Sequence, residues 1–249
     1  MSVSTSLVLE HVLLVSYAVP PERVRRLVPA ELILDTVVDA RGRPLALVSA
    51  VAFYARSAAA PGGLSLPLGT AQLNLRTYVQ PPGRSVYFIR ADIGARPLGM
   101  LGEIAVRGAS PAPVVLAPDY DETSGRYASY EVRCFSPAGE VALAVGEAEV
   151  EGPPPPGFET WQAAGRFISD RPVGFAASTF GGYFRLDVEH PPLEPIVGRL
   201  VVGRLRSLER LGILTREEAM LPHSVFLKRR SVFVVHAPRL ILVPSGLRA

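Results

Sequence analysis

The feature that most constrains this chain is a succession of short apolar segments joined by turns containing proline and glycine, not by long helices. Residues 72–79 alternate strictly between polar and apolar side chains, which is the period of a β-strand. The sequences Asp39-Ala-Arg-Gly42 and Ser136-Pro-Ala-Gly139 separate neighbouring strand-like segments and predict hairpins. Because strands connected by turns pair antiparallel, the sequence predicts a β-rich fold.

About eleven strands and four or five short helices follow from this pattern. Several strands have one polar face, and helices do not alternate regularly with strands, which is typical of a curled sheet or barrel. The proline-rich stretch 153–156 predicts a stiff spacer, but the strand pattern continues across it, so we expect a single domain over residues 1–249. The predicted strands are 7–17, 32–38, 45–54, 72–79, 86–93, 113–117, 127–135, 140–151, 180–188, 194–202, 225–235 and 240–243. The predicted helices lie within 19–29, 97–106, 159–168 and 207–211 and after Thr215, and 57–69 is a predicted loop.

Composition excludes several classes of protein. The apolar share is 48%, and 26 basic side chains nearly balance 23 acidic ones, so the chain is not of the disordered type. A single cysteine, Cys134, cannot form an internal disulfide or a cysteine zinc site. The four histidines have no metal-ligand spacing, and no glycine motif for nucleotides is present, so the sequence predicts neither a metal nor a cofactor.

The distribution of charge and hydropathy bears on partners and location. The basic clusters are short and interleaved with apolar residues, so we expect no nucleic-acid surface. No run of about 18 uncharged apolar residues predicts a membrane helix, and the N-terminal segment lacks the features of a signal peptide. With one cysteine, a cytoplasmic location is expected. The sequence is compatible with a homo-oligomer and does not determine the number of subunits.

The polar face of the 72–79 segment is the best candidate for the lining of a binding cavity. Its members are Gln72, Asn74, Arg76 and Tyr78, and the opposite face carries Leu73 and Leu75. An arginine on this face could bind a carboxylate through two hydrogen bonds. Alternation alone does not determine which face is inside, so exposure of this face to water or to a second subunit stays an alternative.

Two further residues carry candidate chemistry. His190, in Glu189-His-Pro-Pro192, could act with its neighbour as an acid and a base at a strand end, or could be merely exposed or hydrogen-bonded. Lys228 is the only lysine beside 25 arginines, and the adjacent Arg229 and Arg230 would lower its pKa, as a Schiff-base lysine requires. The alternative for Lys228 is an ordinary solvated residue on a strand.

Segments 19–32, 73–79 (Leu-Asn-Leu-Arg-Thr-Tyr-Val), 86–88 (Val-Tyr-Phe) and 190–192 (His-Pro-Pro) resemble the YqjF-like bacterial proteins. These proteins are a branch of the acetoacetate-decarboxylase-like superfamily, and the similarity covers nearly the whole chain in order. The resemblance implies a β-rich α+β fold in which an antiparallel, cone-like barrel encloses a cavity for a small molecule. This fold agrees with the strand pattern.

The same resemblance argues against the reaction for which the superfamily is named. Acetoacetate decarboxylases form a Schiff base through a lysine, and the matching region here, 102–111, contains no lysine. Glu103 stands where the family has arginine, Gln72 where it has glutamate, and Glu10 where the first strand has arginine. The resemblance therefore implies the fold with parts of the decarboxylase site replaced.

We therefore predict a protein that binds a small carboxylate or carbonyl compound without a Schiff-base lysine. If it is catalytic, it would be a lyase or isomerase that works by acid–base chemistry, with Glu103 and Tyr78 as candidate catalytic groups. Two alternatives remain: a non-catalytic ligand sensor or accessory protein, and a Schiff-base decarboxylase or aldolase that uses Lys228. The candidate ligand-binding residues are Glu10, Gln72, Asn74, Arg76 and His190.

Overall fold

The computed structural model describes residues 4–57, 69–80, 83–149 and 152–242, and β-strands dominate these ranges. The predicted loop 57–69 lies almost entirely outside them. The strands are β1 (Ser4–Val19), β2 (Ile33–Leu34), β3 (Thr36–Val38), β4 (Pro44–Ser57), β5 (Gly69–Gln80), β6 (Ser85–Ile93), β7 (Ala109–Pro111), β8 (Val114–Asp121), β9 (Arg126–Ser136), β10 (Gly139–Glu147), β11 (Val173–Ala177), β12 (Tyr183–Glu189), β13 (Ile196–Leu205), β14 (Ser224–His236) and β15 (Arg239–Ile241).

The helices are few and short. They are α1 (Pro21–Arg25), α2 (Arg96–Ala105), α3 (Trp161–Ser169), α4 (Arg206–Arg210) and a 3-10 turn at Glu218–Met220. Thr160 caps α3, because its side chain accepts a hydrogen bond from the amide of Ala163. None of the described helices is long and apolar enough to cross a membrane.

Seven strands pair in a closed ring. From β1 the pairings run through β4, β5, β6, β11, β12 and β14 and return to β1. Antiparallel pairing prevails, but β6 pairs in parallel with both β7 and β11. The parallel pairing with β11 is accessible because the chain between these strands is long enough to cross over and return. The ring forms the predicted barrel.

A second sheet, joined to the ring where β13 pairs with β14, packs outside the barrel. It consists of β8, β9, β10 and β13, which pair antiparallel in that order. Its apolar face and the outer face of the barrel enclose the larger hydrophobic core, which includes Leu13 and Leu75 of the barrel and Val132 and Leu143 of the second sheet. A smaller cluster, which includes Leu9 and Tyr78, lies inside the barrel with α3.

Most local predictions agree with the structure. The two predicted hairpins join β3 to β4 and β9 to β10. The predicted capping box is formed, because the amide of Glu218 donates to the Thr215 hydroxyl while the Glu218 carboxylate accepts from the amide of Thr215. Strands β7 and β11 escaped prediction because they are short and contain glycine, proline or small residues without clear alternation. The predicted strand 240–243 extends beyond the described residues at its last position.

Candidate functional site

The barrel contains a cavity of about 330 Å³. Most of its lining is apolar and comes from all seven barrel strands, with contributions from α2 and from the segment after α3. Representative apolar residues are Leu9, Phe53, Phe88, Val188 and Phe233. The polar side chains that line it are Gln72, Asn74, Arg76, Ser169, Arg171 and His190.

Strand β5 supplies half of these polar side chains. Gln72, Asn74 and Arg76 line the cavity, whereas Leu73 and Leu75 on the opposite face are fully buried in the core beneath the second sheet. Successive side chains of a strand point to opposite faces, so one strand serves both regions. The structure therefore places the polar face of 72–76 inside the barrel.

Two arginines meet at one part of the cavity wall. Arg76 donates from Nη2 to the carbonyl of Ile168 at 2.9 Å, near the end of α3. Arg171 follows α3 and its side chain is 1% exposed. The Nε of Arg76, the Nη2 of Arg171 and the Oδ1 of Asn74 are buried and have no hydrogen-bond partner among the residues that the structure describes. Buried polar groups are normally paired, so these unpaired atoms favour a ligand at this wall.

Asp35 holds Arg171 in place. The Oδ2 of Asp35 accepts from Nη1 of Arg171 at 2.7 Å, and its Oδ1 accepts from Nε2 of Gln80 at 2.7 Å. The Nε of Arg171 also donates to the carbonyl of Phe167 at 2.6 Å. Burial lowers the pKa of the Arg171 guanidinium, and the hydrogen bond with Asp35 opposes that shift. Arginine stays charged in proteins, so the result is a buried ion pair.

Tyr78 lies beyond the cavity lining although it shares the polar face of β5. Its ring is fully buried, and the guanidinium of Arg171 lies 4.8 Å from its centroid. Its hydroxyl oxygen is 2.6 Å from the hydroxyl of Ser49, which is 2.7 Å from that of Ser16. The Tyr78 hydroxyl is therefore engaged within the protein, and the ring supports Arg171.

Three other candidates lie away from the lining. Glu103 is exposed on α2. Glu10 forms an ion pair with Arg56 at 3.0 Å. Lys228, on β14, is half-buried and does not line the cavity, and its side chain forms no hydrogen bond or ion pair within the described part of the chain. The structure thus brings together Gln72, Asn74, Arg76 and His190 but not Glu103, Glu10 or Lys228.

His190 lies at the end of β12 and lines the cavity. Its ring stacks on Phe233 with centroids 4.5 Å apart. Its Nδ1 is 2.8 Å from the carbonyl oxygen of Pro191, and since a carbonyl can only accept, Nδ1 carries the proton in that bond. The second ring nitrogen, Nε2, then has a lone pair when the ring is neutral.

Sequence reasoning missed Arg171, Ser169 and Asp35. Arg171 lies in a short connection, and no local pattern predicts that such a residue enters a barrel. Asp35 had a weak signal, because it is the one charged residue within the apolar segment 32–38, and a lone acid there is often buried with a cation. Its partner comes from more than 130 positions away, which a local pattern cannot identify.

Several solved structures of enzymes share the fold of this chain. An acetoacetate decarboxylase-like enzyme from Sphingomonas wittichii RW1 is 12% identical with a TM-score of 0.60, covering 97% of this chain and 93% of that one. The enduracididine biosynthesis enzyme MppR, complexed with pyruvate, is 15% identical with a TM-score of 0.57, covering 95% and 90%. An acetoacetate decarboxylase is 12% identical with a TM-score of 0.54, covering 98% and 91%.

These similarities establish an acetoacetate-decarboxylase-like fold. A comparison with curated proteins finds no match. Residues 7–230 match the family DUF2071, which is described as an uncharacterized conserved protein. That match covers most of the chain, including β5, α3, most of β1 and about half of β14. The chain therefore belongs to the DUF2071 family, within the YqjF-like branch of the acetoacetate-decarboxylase-like fold.

Proposed function

We propose that this protein binds a small organic carboxylate inside its barrel, with Arg76 as the residue that holds the carboxylate. The observation that carries the proposal is the wall where the Nε of Arg76 and the Nη2 of Arg171 are buried without hydrogen-bond partners in the described part of the chain. A planar guanidinium matches a carboxylate in geometry and charge. MppR, of the same fold, has been described in complex with pyruvate, which supports a small acid as the ligand.

The rest of the cavity supports a compact ligand with an apolar body. A volume of about 330 Å³ is at the small end of ligand pockets. The apolar lining would contact the carbon skeleton, and Asn74 offers an amide that can both donate and accept. A ligand with one carbonyl or hydroxyl group beside its carboxylate would use this amide.

Thermal unfolding in the presence of small acids tests this proposal. A ligand that binds only the folded protein raises the unfolding midpoint, so pyruvate, 2-oxobutanoate or hexanoate should raise it for the wild type. Arg76→Gln should abolish that rise. Arg133→Gln, which alters an exposed arginine of the second sheet, should keep it. No rise from any of these acids in the wild type would contradict the proposal.

A second candidate function is proton transfer by His190. The observation that favours it is the bond from Nδ1 to Pro191, which leaves Nε2 available as a base within the same lining as Arg76. In deuterium oxide, this function requires faster exchange at C3 of 2-oxobutanoate, detected by proton NMR. His190→Gln should remove the acceleration. Wild-type protein that binds 2-oxobutanoate without accelerating exchange would instead support a sensor or accessory role.

The Schiff-base alternative has a direct test of its own. Lys228 does not line the cavity. The sequence has no second lysine whose side-chain amine could form an imine with the ligand. Borohydride reduction in the presence of pyruvate or acetoacetate would trap an imine as a stable adduct. We expect no adduct at Lys228 by mass spectrometry, and an adduct there would overturn this part of the proposal.

A further inference from the structure

We infer that Asp35 is a specificity-determining residue: it sets the charge of the cavity wall so that the site takes monocarboxylates and rejects dicarboxylates. This inference rests on the proposed function, because it concerns the same ligand wall. It adds the number of carboxylates on the ligand, and it assigns a role to a residue that does not itself line the cavity. Asp35 would act through Arg171.

The contacts of Asp35 support a role in charge balance. Its carboxylate is about nine-tenths buried, and it is bound by Arg171 and Gln80, both at 2.7 Å. Its backbone amide donates to the carbonyl of Tyr78 at 2.9 Å, which fixes the residue beside β5. The negative charge is therefore held at a constant place behind one of the two wall arginines.

The charge count of the wall follows from these contacts. Among the described residues that line the cavity, the permanently charged side chains are Arg76 and Arg171, and both are positive. Asp35 neutralises Arg171, while Arg76 makes one hydrogen bond to a neutral carbonyl and has no carboxylate partner in the described chain. The wall therefore carries one uncompensated positive charge.

One uncompensated charge accommodates one carboxylate. A second carboxylate on the same ligand would enter an apolar cavity, where a charge without a partner is strongly unfavourable. Coulomb interactions are also stronger in such an interior than in water, so the sum of the charges affects binding more than it would at the surface. The preference for one carboxylate over two should thus follow the net charge of Asp35, Arg76 and Arg171.

The test compares two acids with the same six-carbon chain by isothermal titration. Hexanoate carries one carboxylate, adipate carries two, and 1-hexanol is the uncharged reference. We expect the wild type to bind hexanoate at least about tenfold more tightly than adipate. Equal binding of both acids, lost on Arg76→Gln, would overturn this inference and leave the proposed function intact. Binding of neither acid would overturn this inference, and it would overturn the proposed function as well only if pyruvate and 2-oxobutanoate also fail to bind.

Two variants change the charge without changing the shape of the side chain much. Asp35→Asn raises the net charge by one, and the preference for hexanoate should fall by at least about tenfold. The double variant Asp35→Asn with Arg76→Gln restores the original charge and should recover a preference for hexanoate, now through Arg171. A folded Asp35→Asn variant with the wild-type preference would overturn the inference.

If loss of the Asp35 carboxylate prevents folding, a third variant tests the effect of the net charge of the cavity wall. Gln72 lines the same cavity, and Gln72→Glu adds a negative charge with little change in shape. This variant should lose at least about tenfold in affinity for hexanoate near pH 7.5 while its affinity for 1-hexanol changes little. Val115→Glu, which adds the same negative charge at an exposed position of β8 away from the cavity, is the control and should retain hexanoate affinity. Unchanged hexanoate binding by Gln72→Glu would contradict the charge count.

Discussion

Two partly buried arginines on neighbouring strands of the barrel differ in how their polar groups are paired. Arg90, on β6, donates to both carboxylate oxygens of Asp92 and to the hydroxyl of Ser110, and Ser110 donates to Asp92 in turn. Arg76, on β5, has a buried Nε to which no described residue is hydrogen-bonded. The first site lies beside Cys134 of the second sheet, and the second faces the cavity.

The contrast shows which arginine is available for a ligand. Six buried side-chain atoms have no partner among the described residues, and three of them belong to Asn74, Arg76 and Arg171. These three residues share one cavity wall, whereas the other three atoms are scattered over Trp161, Ser207 and Arg229. The fully paired guanidinium of Arg90 stabilises the fold, whereas the incompletely paired guanidinium of Arg76 can bind a ligand in the cavity.

The largest expected difference in unfolding free energy is between variants that remove the charge of Arg90 and variants that remove the charge of Arg76. Arg90→Met should cost about 3–5 kcal/mol of unfolding free energy, because it leaves the fully buried Asp92 without its cation. Arg76→Met should change the unfolding free energy by less than about 1 kcal/mol, because the replaced guanidinium is incompletely paired. Urea unfolding measures both values. A loss on Arg76→Met as large as that on Arg90→Met would mean that Arg76 is structural.

Two leucines test the same contrast in apolar packing. Leu75 is fully buried in the core beneath the second sheet, so Leu75→Ala should cost about 2–5 kcal/mol of unfolding free energy. Leu9 lines the cavity, so one side of it packs against no protein atoms, and Leu9→Ala should fall at the lower end of that range. Acid binding should be retained by Leu75→Ala below its unfolding temperature. Equal costs for the two variants would argue that the cavity is filled by protein atoms.

The cap of α3 offers a smaller change near the wall. Thr160→Ala should cost about 1 kcal/mol, because it removes the hydrogen bond from the amide of Ala163. Thr160→Ser retains the hydroxyl and is the matched control. Acid affinity should change little in either variant, because the carbonyl of Ile168 that Arg76 uses lies at the other end of α3. A large loss of affinity on Thr160→Ala would show that the whole helix positions the wall.

The smallest expected effect concerns pH. Burial lowers the pKa of His223 below its ordinary value of 6.5, and its Nε2 donates to the carbonyl of Pro156 at 2.9 Å. The unfolded chain therefore binds the proton more readily, so this contribution to stability is complete above about pH 6.5 and is lost as the pH falls. Unfolding free energy measured at pH 7.5 and 5.0 should fall less for His223→Gln than for the wild type. Identical pH dependence would exclude His223 as a contributor.

The strands and hairpins were predictable from the sequence because their signals are local. Alternation over 72–79 and the turns at Asp39 and Ser136 each depend on adjacent residues, and all three agree with the structure. Among the described strands, the expectation of antiparallel pairing was wrong where β6 pairs in parallel with β7 and β11. Those pairings join segments that are separated by a long connection, and no turn sequence marks them.

Only part of the candidate site was predictable. Residues on one face of one strand, such as Gln72 and Arg76, share a periodic pattern, and the resemblance to a barrel fold indicated that this face lines a cavity. Arg171 and Asp35 meet across the fold, so neither is marked by spacing. Glu103 was chosen by position relative to a family motif, and its exposure on α2 depends on which helix face packs inward, which the two glycines of that helix obscure.

The strand pairs of the barrel differ in the length over which they pair. Strand β14 pairs with β1 over most of its length, but it pairs with β12 only at Val188–Val235 and Glu189–Val234. Segments with few hydrogen bonds open locally at lower free energy than the whole domain unfolds. We therefore expect amide deuterium exchange to be fastest in the ring at this seam, directly before His190. Local opening of the pairing between β12 and β14 would admit solvent and solutes to the cavity while the core beneath the second sheet stays closed.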